Sequence, residues 1–163
     1  MNKKNILFFI IMVLILSIGV MCFVGCGKES SESNNKEYSV DAEALASEIV
    51  SKVKFASEMS KVDAEFLDVY FTIEEGVTGV SYKAGGSLAD EITIFTAPNK
   101  ITAKKMLESV KSYIDERKEL FAGYAPAEVT KLEKAVAVQK GKYVVFCVTD
   151  NIDEAKTIID NAF

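Results

Sequence analysis

Apolar and polar positions divide the chain into three stretches of different character. Residues 6–24 are almost wholly apolar, residues 28–37 contain no apolar residue, and residues 40–163 alternate apolar and polar positions with helical and strand-like periods. An apolar stretch at the N-terminus is typical of a leader, and a polar stretch that buries no surface is typical of a flexible spacer. We therefore expect a leader over 1–25, a spacer over 26–39 and one folded domain over 40–163.

Helical periodicity, with apolar residues three and four positions apart, predicts four helices in the third stretch. They begin after an N-cap at Ser39 or Asp41, cover about Asp63 to Tyr70, follow a cap at Asn99, and begin at Asp150 or Asn151. The helix after Asn99 is the longest, because its apolar stripe continues as far as Phe121 and Tyr124. Glu128 to Lys134 is also compatible with a short helix.

Strand-like patterns form two pairs, Val77–Lys83 with Ile92–Phe95 and Val136–Val138 with Lys142–Thr149. A Lys140-Gly141 turn favours a hairpin for the second pair. Residues 144–148 are all apolar, which indicates an interior strand covered on both faces. Hairpins separated by a helix predict an α+β fold with a mainly antiparallel four-stranded sheet and packed helices, in the order α-α-β-β-α-β-β-α.

Charge and composition exclude several classes of function. The formal net charge is −5, and it becomes −7 (17 − 24) once residues 1–25 are removed. Such a domain lacks the basic stripe of a nucleic-acid binder and gains no electrostatic attraction to anionic lipid. The chain has no His, so the usual general base and the commonest metal ligand are missing. No cofactor motif is present.

The N-terminus has the layout of an export signal. Lys3 and Lys4 precede the apolar stretch, which ends in Phe23-Val24-Gly25-Cys26. That tetrapeptide resembles a bacterial lipobox, although Leu is usual where Phe23 stands. The resemblance predicts cleavage between Gly25 and Cys26 and a diacylglycerol anchor on Cys26. Two acyl chains then give stable membrane attachment. The alternative is a retained transmembrane helix, since the apolar run comes near the length that spans a bilayer.

Residues spread over the third stretch also resemble one family. They are Ala89-Asp90-Glu91-Ile92, Ile94-Phe95, Phe121, Tyr124, Pro126, Glu128, Val129, Lys131-Leu132, Gly141, Tyr143 and Val144. Together they resemble an uncharacterised family of small lipoproteins from Gram-positive, low-GC bacteria, known as domain of unknown function 4358. The resemblance implies an exported, membrane-anchored α+β domain on the outer face of the cytoplasmic membrane. It implies no activity, because none is established for the family.

Candidate catalytic motifs are incomplete. Ser51 to Lys54 matches S-x-x-K and Thr149 to Asn151 mimics S-D-N, but no K-T-G follows. Gly79 to Lys83 lacks the last glycine of a G-x-S-x-G elbow. The acidic clusters match no calcium loop and fit solvated helix faces. Cys147 lies among Val and Phe, which is typical of a core residue.

Arg117 is the single arginine of the chain, and it falls on the apolar stripe of the long helix. It has two interpretations. Its guanidinium can bind a carboxylate or phosphate of a ligand, with Tyr124 one step further along the stripe. Alternatively, it reaches water at the edge of the stripe or pairs with Glu91 or Glu128.

These observations favour a non-enzymatic surface lipoprotein that binds a small ligand, a wall component or another envelope protein. Two alternatives remain open. One is an extracellular hydrolase that works through carboxylates, and the other is an accessory subunit of an envelope complex. A concave pocket faced by Arg117 or Tyr124 is expected if the ligand is small.

Overall fold

Residues 37–163 are described by the structure, which is a computed structural model. The predicted leader and the predicted cleavage and lipidation site at Gly25 and Cys26 lie outside the described residues. Within residues 37–163, no helix is both long enough and apolar enough to cross a bilayer.

Four α-helices and one 3₁₀ helix are present in the described part of the chain. They are α1 (Ala42–Lys52), the 3₁₀ helix (Ala64–Val69), α2 (Lys100–Ala122), α3 (Pro126–Glu133) and α4 (Ile152–Ala162). Two of the predicted caps are confirmed, since Asp41 accepts hydrogen bonds from the first amides of α1 and Asn99 does the same for α2. Each cap satisfies N–H groups that have no partner within the helix.

Five strands form one antiparallel sheet. They are β1 (Met59–Val62), β2 (Thr78–Ala84), β3 (Glu91–Thr96), β4 (Val136–Lys140) and β5 (Tyr143–Val148), in the spatial order β1-β2-β3-β5-β4. Both predicted hairpins are confirmed, because β2 pairs with β3 and β4 pairs with β5. Strand β5 lies between β3 and β4 and is buried along its whole length, as expected for an interior strand.

The prediction of a four-stranded sheet is wrong by one strand. Strand β1 adds to the edge of the sheet, with Met59 opposite Ala84 and Val62 opposite Ser81. Its four residues include exposed Ser60 and Lys61, so its own sequence shows no apolar alternation. Its hydrogen-bonding partner β2 determines its conformation. The α+β class and the antiparallel arrangement are confirmed.

Apolar layers cover both faces of the sheet. On one face, α1 and α4 pack over side chains that alternate along β3 and β5, such as Ile92, Ile94 and Val145. On the other face, α2, α3 and the 3₁₀ helix pack over Phe95 and Phe146. Helix α2 lies over β3, β5 and β4, whereas the 3₁₀ helix covers part of β2. The arrangement leaves a groove between the second half of α2 and the β1–β2 edge of the sheet.

Candidate functional site

Glu91 is a fully buried carboxylate on the face of β3 that lies against α2. It alternates with Ile92, which points into the opposite core. Its Oε1 accepts a hydrogen bond from Thr93 (2.9 Å), and the Thr93 hydroxyl lies 2.8 Å from that of Ser81 on β2. A buried carboxylate is costly unless it is paired and hydrogen-bonded, and the other partners come from α2 and β2.

Arg117 on α2 is the closest cationic partner of Glu91. Its Nη1 lies 2.8 Å from Oε2 of Glu91 and donates a second hydrogen bond, of 3.2 Å, to the carbonyl of Ala89. Its Nη2 donates to the carbonyl of Leu88 at 3.1 Å. The side chain is 11% exposed, so this is a nearly buried ion pair. Arg117 thereby fixes the backbone that leads into β3 and compensates the carboxylate.

Tyr113 and Lys83 complete the surroundings of Glu91. The Tyr113 hydroxyl donates to Oε2 of Glu91 at 2.8 Å, and Nζ of Lys83 donates to the Tyr113 oxygen and lies 3.4 Å from Oε2. Burial lowers the pKa of Lys83, with Arg117 acting in the same direction, although Glu91 opposes the shift. Burial also raises the pKa of Tyr113, and Glu91 adds to that effect. The phenol therefore stays neutral and acts as a donor.

A second charged cluster holds the same stretch of backbone from α3. Lys131 pairs with Asp90 at 2.5 Å and with Glu128 at 3.2 Å, and Glu128 accepts the amide of Ala89 at 2.6 Å. Asp90 also accepts the amide of Ala56, which follows α1, at 3.0 Å. Burial disfavours the charged form of Lys131, but the hydrogen bonds with Asp90 and Glu128 outweigh it and raise the pKa.

The groove beside α2 has a volume of about 480 Å³. Strand β1 and the turn after β2 form one wall, and α2 forms the other. Its cations include Lys83 and Arg117, and its aromatic side chains are Tyr70, Tyr113, Phe121 and Tyr124. We call it the cationic groove. No Asp or Glu lines it among residues 37–163, and Glu91 lies below it with no exposed surface.

The structure brings the two residues singled out from the sequence into this one groove. Arg117 pairs with Glu91, one of the two partners that the sequence suggested, and also lines the groove. Tyr124 lies beyond the end of α2, is 57% exposed and packs against Phe121 with ring centroids 5.5 Å apart. The expected concave pocket is therefore present, and a role of these residues in binding a ligand stays a prediction.

Sequence reasoning missed Lys83, Tyr70 and Tyr113 as members of the groove. Tyr113 carried a signal, because it precedes Arg117 by four positions and so lies on the same helix face. Lys83 and Tyr70 carried none. Nζ of Lys83 lies 3.8 Å from the centroid of the Tyr70 ring, a cation–π contact between residues that only the tertiary fold brings together.

The remaining candidates from the sequence occupy ordinary structural positions. Cys147 is completely buried on β5, as predicted for a core residue. Ser51 donates to the carbonyl of Glu48 on the exposed side of α1. Gly79 packs against Leu67 and Phe95 near the start of β2. In the described part of the chain, no group of three or more carboxylate or thiol residues is placed to hold a metal ion.

A further cavity, of about 470 Å³, lies beside the 3₁₀ helix and is lined by Glu65 and Asp68. Both residues are exposed. Because no carboxylate of residues 37–163 lines the cationic groove, that groove does not support the hydrolase hypothesis. The catalytic carboxylates of a hydrolase would have to lie elsewhere, for example at this second cavity.

Comparisons with known proteins place the chain in one family. Neither a search of curated proteins nor a search of solved structures found a match. The family model described as domain of unknown function (DUF4358) matches residues 51–149, well over half of the chain. The matched range contains all five strands, both charged clusters and the cationic groove. The protein therefore belongs to the DUF4358 family.

Proposed function

We propose that the protein is a lipid-anchored lipoprotein of the outer face of the cytoplasmic membrane, in a Gram-positive envelope, and that its folded domain binds a ligand. The cationic groove is the observation that carries the binding role. Small-molecule sites occupy roughly 300–1,000 Å³ and combine apolar walls with a few polar groups. The groove fits that description, with Arg117 and Lys83 set among aromatic side chains.

The anchoring half of the proposal rests on the N-terminal sequence. Lys3 and Lys4, the apolar stretch and Gly25-Cys26 have the order that export, cleavage and lipidation require. A net charge of −7 (17 − 24) after cleavage gives the domain no polybasic surface for binding anionic lipid. A diacylglycerol group on Cys26 would then be the anchor.

Mass spectrometry of the membrane-bound protein tests the anchor. We expect an N-terminus at Cys26 that carries diacylglycerol, and a Cys26→Ala variant that accumulates as the uncleaved precursor. The matched control is Cys22→Ala, since Cys22 lies inside the apolar stretch and should not affect processing. A mature protein that still begins at Met1, or that has no lipid on Cys26, would contradict the anchor.

A ligand-observed NMR screen of small aromatic and aliphatic compounds tests the binding role. We expect compounds whose binding is weakened by Tyr124→Ala, because Tyr124 offers an exposed ring at the groove. Ile101→Ala is the matched control, since Ile101 is 76% exposed near the start of α2 and does not line the groove. Binding that is insensitive to Tyr124, or the absence of any binding, would contradict a small-ligand role for the groove.

Exposed apolar side chains favour a second candidate, an accessory subunit that docks onto another envelope protein. Phe66 and Val69 on the 3₁₀ helix are 51% and 72% exposed, and Tyr70 follows them. Large exposed apolar side chains in one segment are typical of protein contacts. A photo-crosslinker at Val69 should then give one defined adduct in cells, and one at exposed Lys104 should not. Equal or absent crosslinking at the two positions would contradict this candidate.

A further inference from the structure

Within the ion-pair network around Glu91, which lies under the cationic groove, the positive charge exceeds the negative charge by one. Lys83 and Arg117 contribute two positive charges, and Glu91 contributes one negative charge from a fully buried position. Lys61 lines the groove as well, but its ammonium pairs with Glu43 at 2.7 Å. An excess of one positive charge in an otherwise acidic domain complements a single negative charge on a ligand.

Arg117 supplies the hydrogen-bonding capacity for that charge. A guanidinium has five N–H donors. The contacts of Arg117 with Glu91, Ala89 and Leu88 use both donors of Nη1 and one of Nη2. The Nε–H and the second Nη2–H of Arg117 have no acceptor among residues 37–163. These two donors belong to neighbouring nitrogens of the guanidinium. Two such donors match the two oxygens of one carboxylate.

Aromatic and aliphatic groups complete the groove. The Arg117 guanidinium lies 5.4 Å from the Tyr113 ring and 5.2 Å from the Phe121 ring, measured to their centroids. Leu120 and Tyr124 line the groove and are 64% and 57% exposed. Covering these two side chains would stabilise a complex, since burial of apolar surface contributes about 25 cal/mol per Å². The ligand therefore needs an apolar part beside its charge.

We propose that the cationic groove binds an organic monocarboxylate that carries an aromatic or branched aliphatic group. This inference rests on the proposed binding function and specifies its ligand class. The carboxylate binds the Nε and Nη2 donors of Arg117 beside the charge of Lys83, and the apolar group covers Leu120 and Tyr124. A phosphate dianion matches less well, because its second negative charge has no counterpart among the charges next to the groove.

The test uses the full chain in phosphatidylcholine nanodiscs and three probes measured by calorimetry and saturation-transfer NMR. The probes are 3-phenylpropionate, its neutral amide 3-phenylpropanamide, and phenyl phosphate. We expect the carboxylate to bind at least tenfold more tightly than the amide and more tightly than the phosphate. Tyr124→Ala should weaken binding of carboxylate and amide together, whereas Ile101→Ala should leave both unchanged.

Two variants test the carboxylate contact itself. Arg117→Lys keeps a positive charge but removes the paired donors, so the tenfold preference for carboxylate over amide should be lost. Should that variant fail to fold, Lys83→Gln leaves the Arg117–Glu91 pair in place and should reduce the same preference. Lys104→Gln, on the exposed side of α2 and away from the groove, is the matched control and should keep it.

The possible failures are distinguishable. Equal affinity for carboxylate and amide, with both weakened by Tyr124→Ala, would overturn the carboxylate inference and leave the groove as a binding site. Tighter binding of phenyl phosphate would overturn it in favour of a phosphorylated ligand. No binding of any probe at about 10 mM, tenfold above a Kd of about 1 mM that corresponds to only about −4 kcal/mol, would overturn both the inference and the small-ligand function.

Discussion

Nη1 of Arg117 lies 2.8 Å from Oε2 of Glu91, and the carboxylate of Glu91 has no exposed surface. The pair joins the second half of the long helix to the first residue of β3. It also fixes one wall of the cationic groove. Two further donors, Tyr113 and Lys83, converge on Glu91, so the network links α2 to β2 and β3.

Arg117→Met should therefore destabilise the domain strongly. Without Arg117, the buried Glu91 keeps only Lys83 and Tyr113 as partners on Oε2. Breaking a buried ion pair in this way costs about 3–5 kcal/mol. Lys118→Met is the matched control, because Lys118 pairs with Asp115 on the exposed side of the same helix and should cost under about 1 kcal/mol. Urea denaturation measures both values. The double variant Arg117→Met/Glu91→Leu should recover most of the lost stability. Equal losses of stability in Arg117→Met and Lys118→Met would contradict the buried ion pair.

Gly79→Ala should destabilise the fold through a steric clash. A Cβ at Gly79 would lie 2.6 Å from Cδ1 of Leu67 and 2.9 Å from the ring of Phe95, so these side chains would have to shift, and the Phe95 ring is fully buried in a close-packed core. Overpacking of this kind costs about 1–3 kcal/mol. Gly85→Ala is the control, since nothing lies within 4 Å of its Cβ position. Similar midpoints for the two variants in thermal unfolding would show that Gly79 is not closely packed.

The sequence predicted most of the fold because periodicity and caps are local signals. Asp41 and Asn99 cap α1 and α2 as expected, and the all-apolar residues 144–148 lie in the interior strand β5. Strand β1 could not be predicted from its own residues. Its extended conformation comes from backbone pairing with β2, which is a tertiary contact rather than a property of Met59–Val62.

Only part of the candidate site could be predicted from the sequence. Arg117 could be identified because a charged residue interrupts the apolar stripe of the helix. Its pairing with Glu91 was one of the two interpretations that the sequence allowed. Lys83 is separated from Arg117 along the chain by the turn after β2, all of β3 and most of α2. No local pattern indicates that their charges share one groove, because that depends on the crossing of α2 over the sheet.

Alkaline pH should reveal the contribution of Lys131. Hydrogen bonds with Asp90 and Glu128 raise the pKa of Lys131, although burial opposes them. The folded-state pKa of Lys131 thus lies above the unfolded-state value of about 10.4. The stabilisation that charged Lys131 provides is therefore fully present below about pH 10.4. This stability is lost as the pH rises through the folded pKa. The difference in unfolding free energy between wild type and Lys131→Met should therefore decline above about pH 10.4.

The control for that measurement is Lys52→Met, because Lys52 pairs with Glu48 on an exposed helix face. Its difference from wild type should stay below about 1 kcal/mol. The other ionisable groups are the same in wild type and variant, so their contributions cancel in each difference. A Lys131 difference that stays constant or grows from pH 9 to pH 11.5, a range spanning roughly the unperturbed lysine pKa, would contradict the assigned direction.

Cys147 should be protected from alkylation in the folded protein. Burial raises the pKa of the Cys147 thiol, and Asp90 and Glu91 add to the shift. The thiolate is the reactive form, so both inaccessibility and the raised pKa slow the reaction. Iodoacetamide at pH 8.5, near the ordinary thiol pKa of about 8.5, should label Cys147 at least tenfold more slowly in native protein than in urea. Mass spectrometry of the peptide that contains Cys147 separates it from the other two cysteines.

The control for the alkylation experiment is Ser112→Cys, which places a thiol on the exposed face of α2 and should react at similar rates in the native and urea-unfolded states. Fast native labelling of Cys147 would instead show that β5 opens locally, and the interior strand would then be less stable than its packing indicates.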